Sequence, residues 1–172
     1  NKINGSHSLE YTTRNTTSDL ATRGVNLSVT WTYGPGFVCA AYTHTDVERN
    51  GKVPLSNDAS YQGVIVGDIA NFEVAHRFDD LGIQVGSTSE LALSDDDPEK
   101  NGNAKLDTYF VANLYGEWTP ETLSNAVTLR VDALNIFDRD YVARTTPGYD
   151  SSAIEPYHEP GRTFLVSAKV TF

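Results

Sequence analysis

The side chains with the most chemistry to offer lie in one connecting segment, residues 136–161. This segment contains the guanidinium group of Arg144, the phenol rings of Tyr149 and Tyr157, and the imidazole of His158. Aromatic rings and a cation suit a planar, anionic chelate, which they bind by stacking and by charge-assisted hydrogen bonds. A solvated loop whose rings pack on neighbouring loops would have the same composition. We therefore predict that these four residues are candidates for ligand binding.

The other reactive side chains do not form a catalytic or metal-binding pattern. Cys39 is the single cysteine, which excludes a disulfide framework and a metal–thiolate cluster. The acidic run 95–99 offers oxygen ligands of the kind that calcium prefers, but Pro98 interrupts it and Thr108 stands where a calcium loop needs glutamate. We expect a solvated loop there, no resident cofactor and no enzymatic activity. The four histidines are scattered without ligand spacing: His7, His44, His76 and His158.

The composition limits the kind of partner. With 172 residues and a formal charge of −10, the chain lacks the basic surface that phosphate binding requires, so we expect no nucleic-acid partner. The mean hydropathy is −0.37, and no apolar run approaches the roughly 18 residues of a transmembrane helix. A β-barrel crosses a bilayer with only alternate residues apolar, and its sequence is hydrophilic on average.

The last eleven residues, 162–172, have the clearest strand pattern. Successive strand residues point to opposite faces, so strict alternation gives this segment one apolar face and one largely polar face. Its length matches the roughly 9–11 residues that a tilted strand needs to cross a bilayer. An aromatic carboxy-terminus is typical of outer-membrane barrels. The apolar residues are Phe164, Val166, Ala168, Val170 and Phe172.

Turn-forming residues divide the whole chain into extended segments, and no stretch has a convincing helical period. We therefore predict an all-β chain that forms part of an antiparallel transmembrane β-barrel. Most of the segments have one apolar and one polar face, whereas the pattern of residues 37–48 leaves their facing open. The eight predicted strands are 6–14, 24–33, 37–48, 68–78, 81–93, 105–118, 126–135 and 162–172.

The connections between these strands alternate between short and long. The long ones are residues 49–67, 94–104 and 136–161. Outer-membrane barrels have short periplasmic turns and longer extracellular loops, so we assign the short turns to the periplasm. Barrels also have aromatic girdles at the membrane interfaces. Under this assignment five aromatic residues fall at the periplasmic edge: Trp31, Tyr33, Phe78, Trp118 and Phe172.

Two smaller architectures are also compatible with these patterns. A soluble β-sandwich binding module would bury the apolar faces against each other, although the predicted strands exceed the usual length of about 5–6 residues. A self-closed eight-stranded barrel with a structural or adhesive role is possible because eight is a permitted strand number. Detergent-dependent extraction would separate the sandwich from both barrels.

Two short motifs near the end of the chain resemble motifs in the carboxy-terminal part of a TonB-dependent outer-membrane receptor. Residues 131–141 are similar to the family's penultimate-strand motif, in which an Asn, an aliphatic residue, a Phe and an Asp precede a Tyr. Residues 159–164 are similar to the Pro-Gly-Arg phrase that opens the last strand. We expect the matching residues to maintain the fold rather than bind ligand. They are Asn135, Phe137, Asp138, Tyr141, Pro160, Gly161, Arg162 and Phe172.

The resemblance implies a 22-stranded barrel that is filled by an amino-terminal plug domain. Residues 1–172 would form its carboxy-terminal part, with the plug and the amino-terminal strands absent, because eight strands cannot close such a barrel. The implied partners are outer-membrane lipid, the missing strands and plug, TonB acting through that plug, and the barrel-assembly machinery acting on the last strand. The implied location is the bacterial outer membrane with the carboxy-terminus in the periplasm.

The implied activity is active import of a ferric chelate. A siderophore complex is the first choice, and haem is the alternative within the same family. His158 is the best placed histidine for haem ligation, because it lies in the last long loop.

Overall fold

The computed structural model describes residues 20–50, 67–94, 107–123, 126–146 and 157–171. These residues form one antiparallel sheet in which each strand pairs with the next along the chain. Within them, no helix is long and apolar enough to cross a membrane. The strands are β1 (Leu20–Tyr33), β2 (Gly36–Arg49), β3 (Gly67–Phe78), β4 (Ile83–Ala92), β5 (Tyr109–Trp118), β6 (Val127–Leu134) and β7 (Thr163–Val170).

The short connections lie at one end of the sheet, which we call the turn end. Gly34 and Pro35 join β1 to β2 in a two-residue turn, and Gly34 supplies the positive φ of 54° at its first position. A single 3-10 turn, Asp79–Leu81, joins β3 to β4, and Gly82 ends it in the left-handed conformation. The opposite end, where the longer connections begin and finish, is the loop end.

The strand register fixes two faces. The apolar face carries alternate residues that are aligned across all the strands, for example Leu27, Tyr42, Ala70, Leu91 and Phe110. Most of its large side chains are exposed, and Val166 is 77% exposed. The intervening residues form the polar face, which includes Asn71, Glu73, Thr88, Glu90, Asn113, Glu117, Arg130 and Asp132.

The buried core of the described residues is small and lies on the polar face near the loop end. Ile69, Ala92, Tyr109 and Val111 form this cluster, and Tyr141 packs against it. The apolar face has no second layer of described strands over it, because all of these strands belong to one sheet. This arrangement differs from the sandwich, in which apolar faces meet in a core.

The predicted strands agree with the observed ones. Seven of the eight predicted segments coincide with β1–β7, with boundaries that differ by up to four residues. The first predicted segment, 6–14, lies outside the described residues. The structure also settles the facing of β2, because its pairing with β1 and β3 places Val38, Ala40 and Tyr42 on the apolar face. The predicted all-β antiparallel fold is confirmed.

Candidate ligand-binding site

The segment that follows β6 folds back over the polar face of the sheet. We call residues 135–146 the strap. The ring of Tyr141 lies 4.7 Å from the ring of Tyr109 on β5. Burial raises the pKa of Tyr141, and the carboxylates of Glu159 and Glu90 raise it further. The Tyr141 hydroxyl therefore stays protonated at neutral pH and is available as a hydrogen-bond donor.

Arg144 fastens the strap to the ends of two strands. Its side chain is buried, and Nη2 donates hydrogen bonds to the carbonyl oxygens of Leu93 at 2.6 Å and Asp107 at 2.9 Å. Its backbone N–H donates to the hydroxyl of Tyr109 at 3.3 Å, and that hydroxyl donates to Glu90 at 2.6 Å. The guanidinium group predicted to bind ligand thus holds the loop end of β4 and β5 together. A direct role in ligand binding stays a prediction.

Asn135 is the second fastening point of the strap. It is buried and has a φ of 49°, a conformation that asparagine tolerates better than most residues. Its Nδ2 donates to the carbonyl oxygens of Arg139 at 2.8 Å and Pro160 at 3.1 Å, and its Oδ1 accepts from the Arg139 N–H at 2.8 Å. Its own N–H donates to Asn113 Oδ1 at 2.8 Å. Asn135 therefore caps the turn after β6.

Asp138 connects the two family-like motifs, residues 131–141 and 159–164, by a hydrogen bond. Its Oδ1 accepts a hydrogen bond from the Arg162 N–H at 2.8 Å. A Cβ atom at Gly161 would lie 2.8 Å from the same oxygen, so a larger residue there would have to displace the Asp138 carboxylate. Phe137 is exposed, and its ring lies 6.0 Å from Phe110 on the apolar face. The hydrogen bond of Asp138 thus connects the turn after β6 to the start of β7; the fold-maintaining role of the other matching residues stays a prediction.

Two of the predicted ligand-binding residues lie at the surface of the loop end. The side chain of Tyr157 is 87% exposed. His158 is exposed, and its Nδ1 pairs with the carboxylate of Asp140 on the strap. The other ring nitrogen, Nε2, lies on the side of the imidazole ring away from Asp140. Tyr149 and Phe172 lie outside the described residues.

A cavity of about 360 Å³ lies on the polar face of strands β2–β5, and Tyr141 of the strap forms part of its lining. Its lining includes the carboxylates of Glu73 and Glu90 and the carboxamides of Asn71 and Asn113, with Tyr141 at its edge. Among its lining residues there is no Lys or Arg. The sequence analysis did not predict this cavity, although the alternating polar residues of β3 and β4 indicate the polar face on which it lies.

A second polar cluster lies on the same face, closer to the turn end. Arg130 donates hydrogen bonds to Asp132 at 2.6–2.9 Å and to Glu117 at 3.1 Å, and its guanidinium group stands 4.3 Å from the ring centre of Tyr115. The Tyr115 ring in turn covers Gly86, where a Cβ atom would lie 2.4 Å from it. Arg130, Asp132 and Glu117 thus form an internally paired network.

In the described part of the chain, no group of three His, Cys, Asp or Glu residues is arranged to hold a metal ion. The acidic run 95–99 lies outside that part.

No protein-family profile and no curated protein matches the sequence. Solved structures do share its fold. The FrpB iron transporter from Neisseria meningitidis (F3-3 variant) superposes with a TM-score of 0.72 at 14% identity over 90% of this chain. The copper transporter OprC gives 0.69 at 21% identity over 90%. P. aeruginosa FpvA, solved with heterologous pyoverdines, gives 0.62 at 15% identity over 89%.

The chain spans about a quarter or less of these proteins: 24% of FrpB, 24% of OprC and 20% of FpvA. The likeness covers nearly all of the present chain, so it concerns the whole sheet rather than one hairpin. All three are TonB-dependent receptors. The chain has the fold of a barrel portion of a TonB-dependent receptor.

Proposed function

We propose that this chain is part of an outer-membrane receptor that actively imports a ferric chelate, with a siderophore complex as the cargo. The observation that carries the proposal is the apolar face, which is continuous across the sheet and is not covered by described residues. Such a face suits lipid, because a barrel presents apolar residues outward and polar residues to its lumen. The iron transporter FrpB and the pyoverdine-bound FpvA have the same fold over this length.

In this proposal the turn end faces the periplasm and the loop end faces the medium. The carboxy-terminus then lies on the periplasmic side, because β7 runs from the loop end to the turn end. The sheet supplies part of the wall and lumen lining, and it pairs with barrel strands outside this chain. A plug outside this chain links the receptor to TonB.

The loop end is the proposed entrance for the cargo. Tyr157 and His158 are exposed there, and Tyr149 belongs to the same connection. Arg144 contributes indirectly. Its hydrogen bonds hold the strap, which forms the first part of this connection, against the sheet. Aromatic and polar groups of this kind can stack on a chelate and bond to it.

Uptake by the full-length receptor tests the proposal. Cells that carry the receptor as their only ferric-siderophore transporter should accumulate radioactive iron from the matching siderophore, and should lose this uptake when TonB is deleted. The double variant Tyr157→Ala/His158→Ala should weaken siderophore binding, whereas the matched exposed-site control Thr171→Ala at the turn end should not. Uptake that is independent of both the receptor and TonB would contradict the proposal.

Haem is the second candidate cargo, and one observation favours it. Histidines that bind metals usually donate their other ring N–H to a carboxylate, which fixes the ring. Asp140 stands in that relation to His158 Nδ1, and Nε2 is then the nitrogen presented to a ligand. Haem added to the purified receptor should give a Soret band that His158→Ala abolishes and Asp140→Asn weakens. A spectrum that neither variant changes would exclude this role for His158.

A further inference from the structure

The charged residues of the apolar face are confined to its loop end. Arg23 and Asp46 are register partners on β1 and β2, and Glu48 is the next outward residue of β2. Asp68 is the register partner of His44. Between the row of His44 and the turn end, the described strands have no Asp, Glu, Lys or Arg on this face.

His44 is the centre of a compact cluster that we call the polar rim, formed by Tyr42, His44, Asp46 and Asp68. His44 Nδ1 lies 2.8 Å from Asp68 Oδ1, and Nε2 lies 3.1 Å from Asp46 Oδ2. Ionised carboxylates only accept hydrogen bonds, so with Asp46 and Asp68 both ionised the two ring nitrogens carry hydrogen and the ring is an imidazolium. The hydroxyl of Tyr42 also donates to Asp68. The rim is thus ionic although it lies on the apolar face.

The rim cannot lie in hydrocarbon at an acceptable cost. A lipid-facing charge in a barrel is most unfavourable at the bilayer midplane, more so for Arg or Lys than for Asp or Glu, and costs nearly nothing at the interface. The side chains of His44, Asp46 and Asp68 are 39%, 48% and 31% exposed, so they are in contact with whatever surrounds the sheet. They therefore need water or polar headgroups beside them.

The opposite boundary of the apolar face is aromatic. Trp31, Tyr33, His76 and Phe78 form a continuous row at the turn end, with ring centres 5.2, 5.9 and 4.6 Å apart in sequence along the row. Aromatic rings of this kind sit at the headgroup level of membranes. The row includes Trp31, Tyr33 and Phe78 of the girdle that the sequence predicts.

The distance between the two boundaries agrees with a bilayer. Gly36 is aligned with His76, and eight residue steps of β2 separate it from His44. Eight steps of about 3.3 Å give roughly 26 Å along the strand. A tilt of about 40° reduces this to about 20 Å along the membrane normal, close to the 25 Å or so of the apolar band of outer-membrane barrels.

We propose that the polar rim is a contact surface for the headgroup layer of the outer leaflet, and that the hydrocarbon boundary passes between Tyr42 and His44. The inference rests on the proposed function, since it requires the apolar face to lie in a membrane. The partner is the polar layer of a lipid surface, which offers water, phosphate and hydroxyl groups to an imidazolium and its two carboxylates. A covering protein would leave the rim inaccessible to both lipid and water.

Spin-label accessibility in the full-length receptor tests the boundary. Val25 and Val29 are apolar-face residues of β1 whose register partners are His44 and Ala40, so a nitroxide at either site leaves the rim intact. Each is introduced as a single cysteine in a Cys39→Ser background and reconstituted in phosphatidylcholine vesicles. At position 29 we expect high collision rates with oxygen and low rates with a nickel chelate. At position 25 the nickel collision rate should rise severalfold.

The outcomes separate this inference from the proposed function. Equal oxygen-dominated rates at positions 25 and 29 would place the rim in hydrocarbon and overturn the inference while leaving a membrane receptor intact. Low rates with both reagents at position 25 would mean that protein covers the rim, and would also overturn it. Low oxygen rates at position 29 would remove the apolar face from lipid and defeat both proposals.

A variant of the rim itself completes the test. In the triple substitution His44→Leu, Asp46→Leu and Asp68→Leu the hydrocarbon boundary should move towards the loop end. The nickel collision rate at position 25 should then fall towards the value at position 29. An unchanged rate in a correctly inserted variant would show that the rim does not set the boundary.

Discussion

At the scale of single residues, the loop end depends on polar side chains that satisfy backbone groups far away in sequence. Arg144 lies 51 and 37 residues from the carbonyl groups of Leu93 and Asp107 to which it donates. Asn135 bonds to Pro160, which lies 25 residues away and shortly before β7 begins at Thr163. These bonds decide where the strap lies, and so they shape the entrance through which a cargo would pass.

Arg144→Met is expected to lower the free energy of unfolding of the receptor by about 2–3 kcal/mol, because two backbone carbonyl groups lose the charged donor that the buried guanidinium supplies. Chemical denaturation followed by heat-modifiable gel migration measures the change. Arg139→Met is the matched control, since Arg139 is exposed and both of its described hydrogen bonds use backbone atoms. A loss of chelate affinity in Arg144→Met without a loss of stability would instead indicate direct contact with the ligand.

Asn135→Ala is expected to cost about 2–4 kcal/mol, because it removes buried side-chain hydrogen bonds and leaves alanine at positive φ. Asn135→Gly should recover part of this loss, since glycine adopts the φ of 49° without strain. Equilibrium unfolding of the three proteins in the same detergent provides the comparison. Equal stability of the Ala and Gly variants would show that backbone strain contributes little at this position.

At the scale of elements, the sequence predicts the strands well because alternation and turn residues are local signals. β2 is the exception, since small residues such as Cys39, Ala40 and Ala41 stand on both of its faces, and only its pairing with β1 and β3 fixes its side. The strap could not be predicted, because its position depends on contacts distant in sequence. The sequence contains one indirect indication of its position. Tyr109 and Val111 are large apolar residues on the polar face, and Tyr141 of the strap packs against the cluster to which they belong.

Two turn glycines form a matched pair for testing what the short connections require. Gly34 and Gly82 have positive φ angles of 54° and 61°. A Cβ atom at Gly34 would meet nothing within 4 Å, whereas one at Gly82 would lie 2.3 Å from the carbonyl oxygen of Thr119. Alanine at Gly34 should therefore cost only the backbone term of about 1–2 kcal/mol.

Alanine at Gly82 should cost clearly more, because the β3–β4 turn must move away from Thr119. That movement would also break the hydrogen bond from the Thr119 N–H to the Gly82 carbonyl, which is 2.8 Å long. Denaturation midpoints of the two single variants give the measurement. Equal midpoints would mean that the turn relaxes freely and that crowding does not fix its position.

At the scale of the whole molecule, the sheet is an open ribbon. β1 and β7 stand at the two ends of the strand order in the described part of the chain and do not pair with each other. A strand edge left unpaired in lipid costs several kcal/mol for each unsatisfied backbone group. The proteins with the same fold are roughly four times as long as this chain, and the additional length in them is available to close a barrel.

Backbone pairing at β7 decides between part of a large barrel and a small closed one. In the full-length receptor, a cysteine at Val166 should form a disulfide with a cysteine in the first strand of the receptor's barrel, and none with cysteines scanned through residues 6–14. Disulfides require Cβ atoms about 3.5–4.5 Å apart, so they report neighbouring strands directly. Cysteines at Val166 and Val131, which are register partners on β7 and β6, provide the positive control. A cross-link from position 166 to residues 6–14 would close the barrel on eight strands and leave no lumen for a plug, because such a barrel is filled by its own side chains.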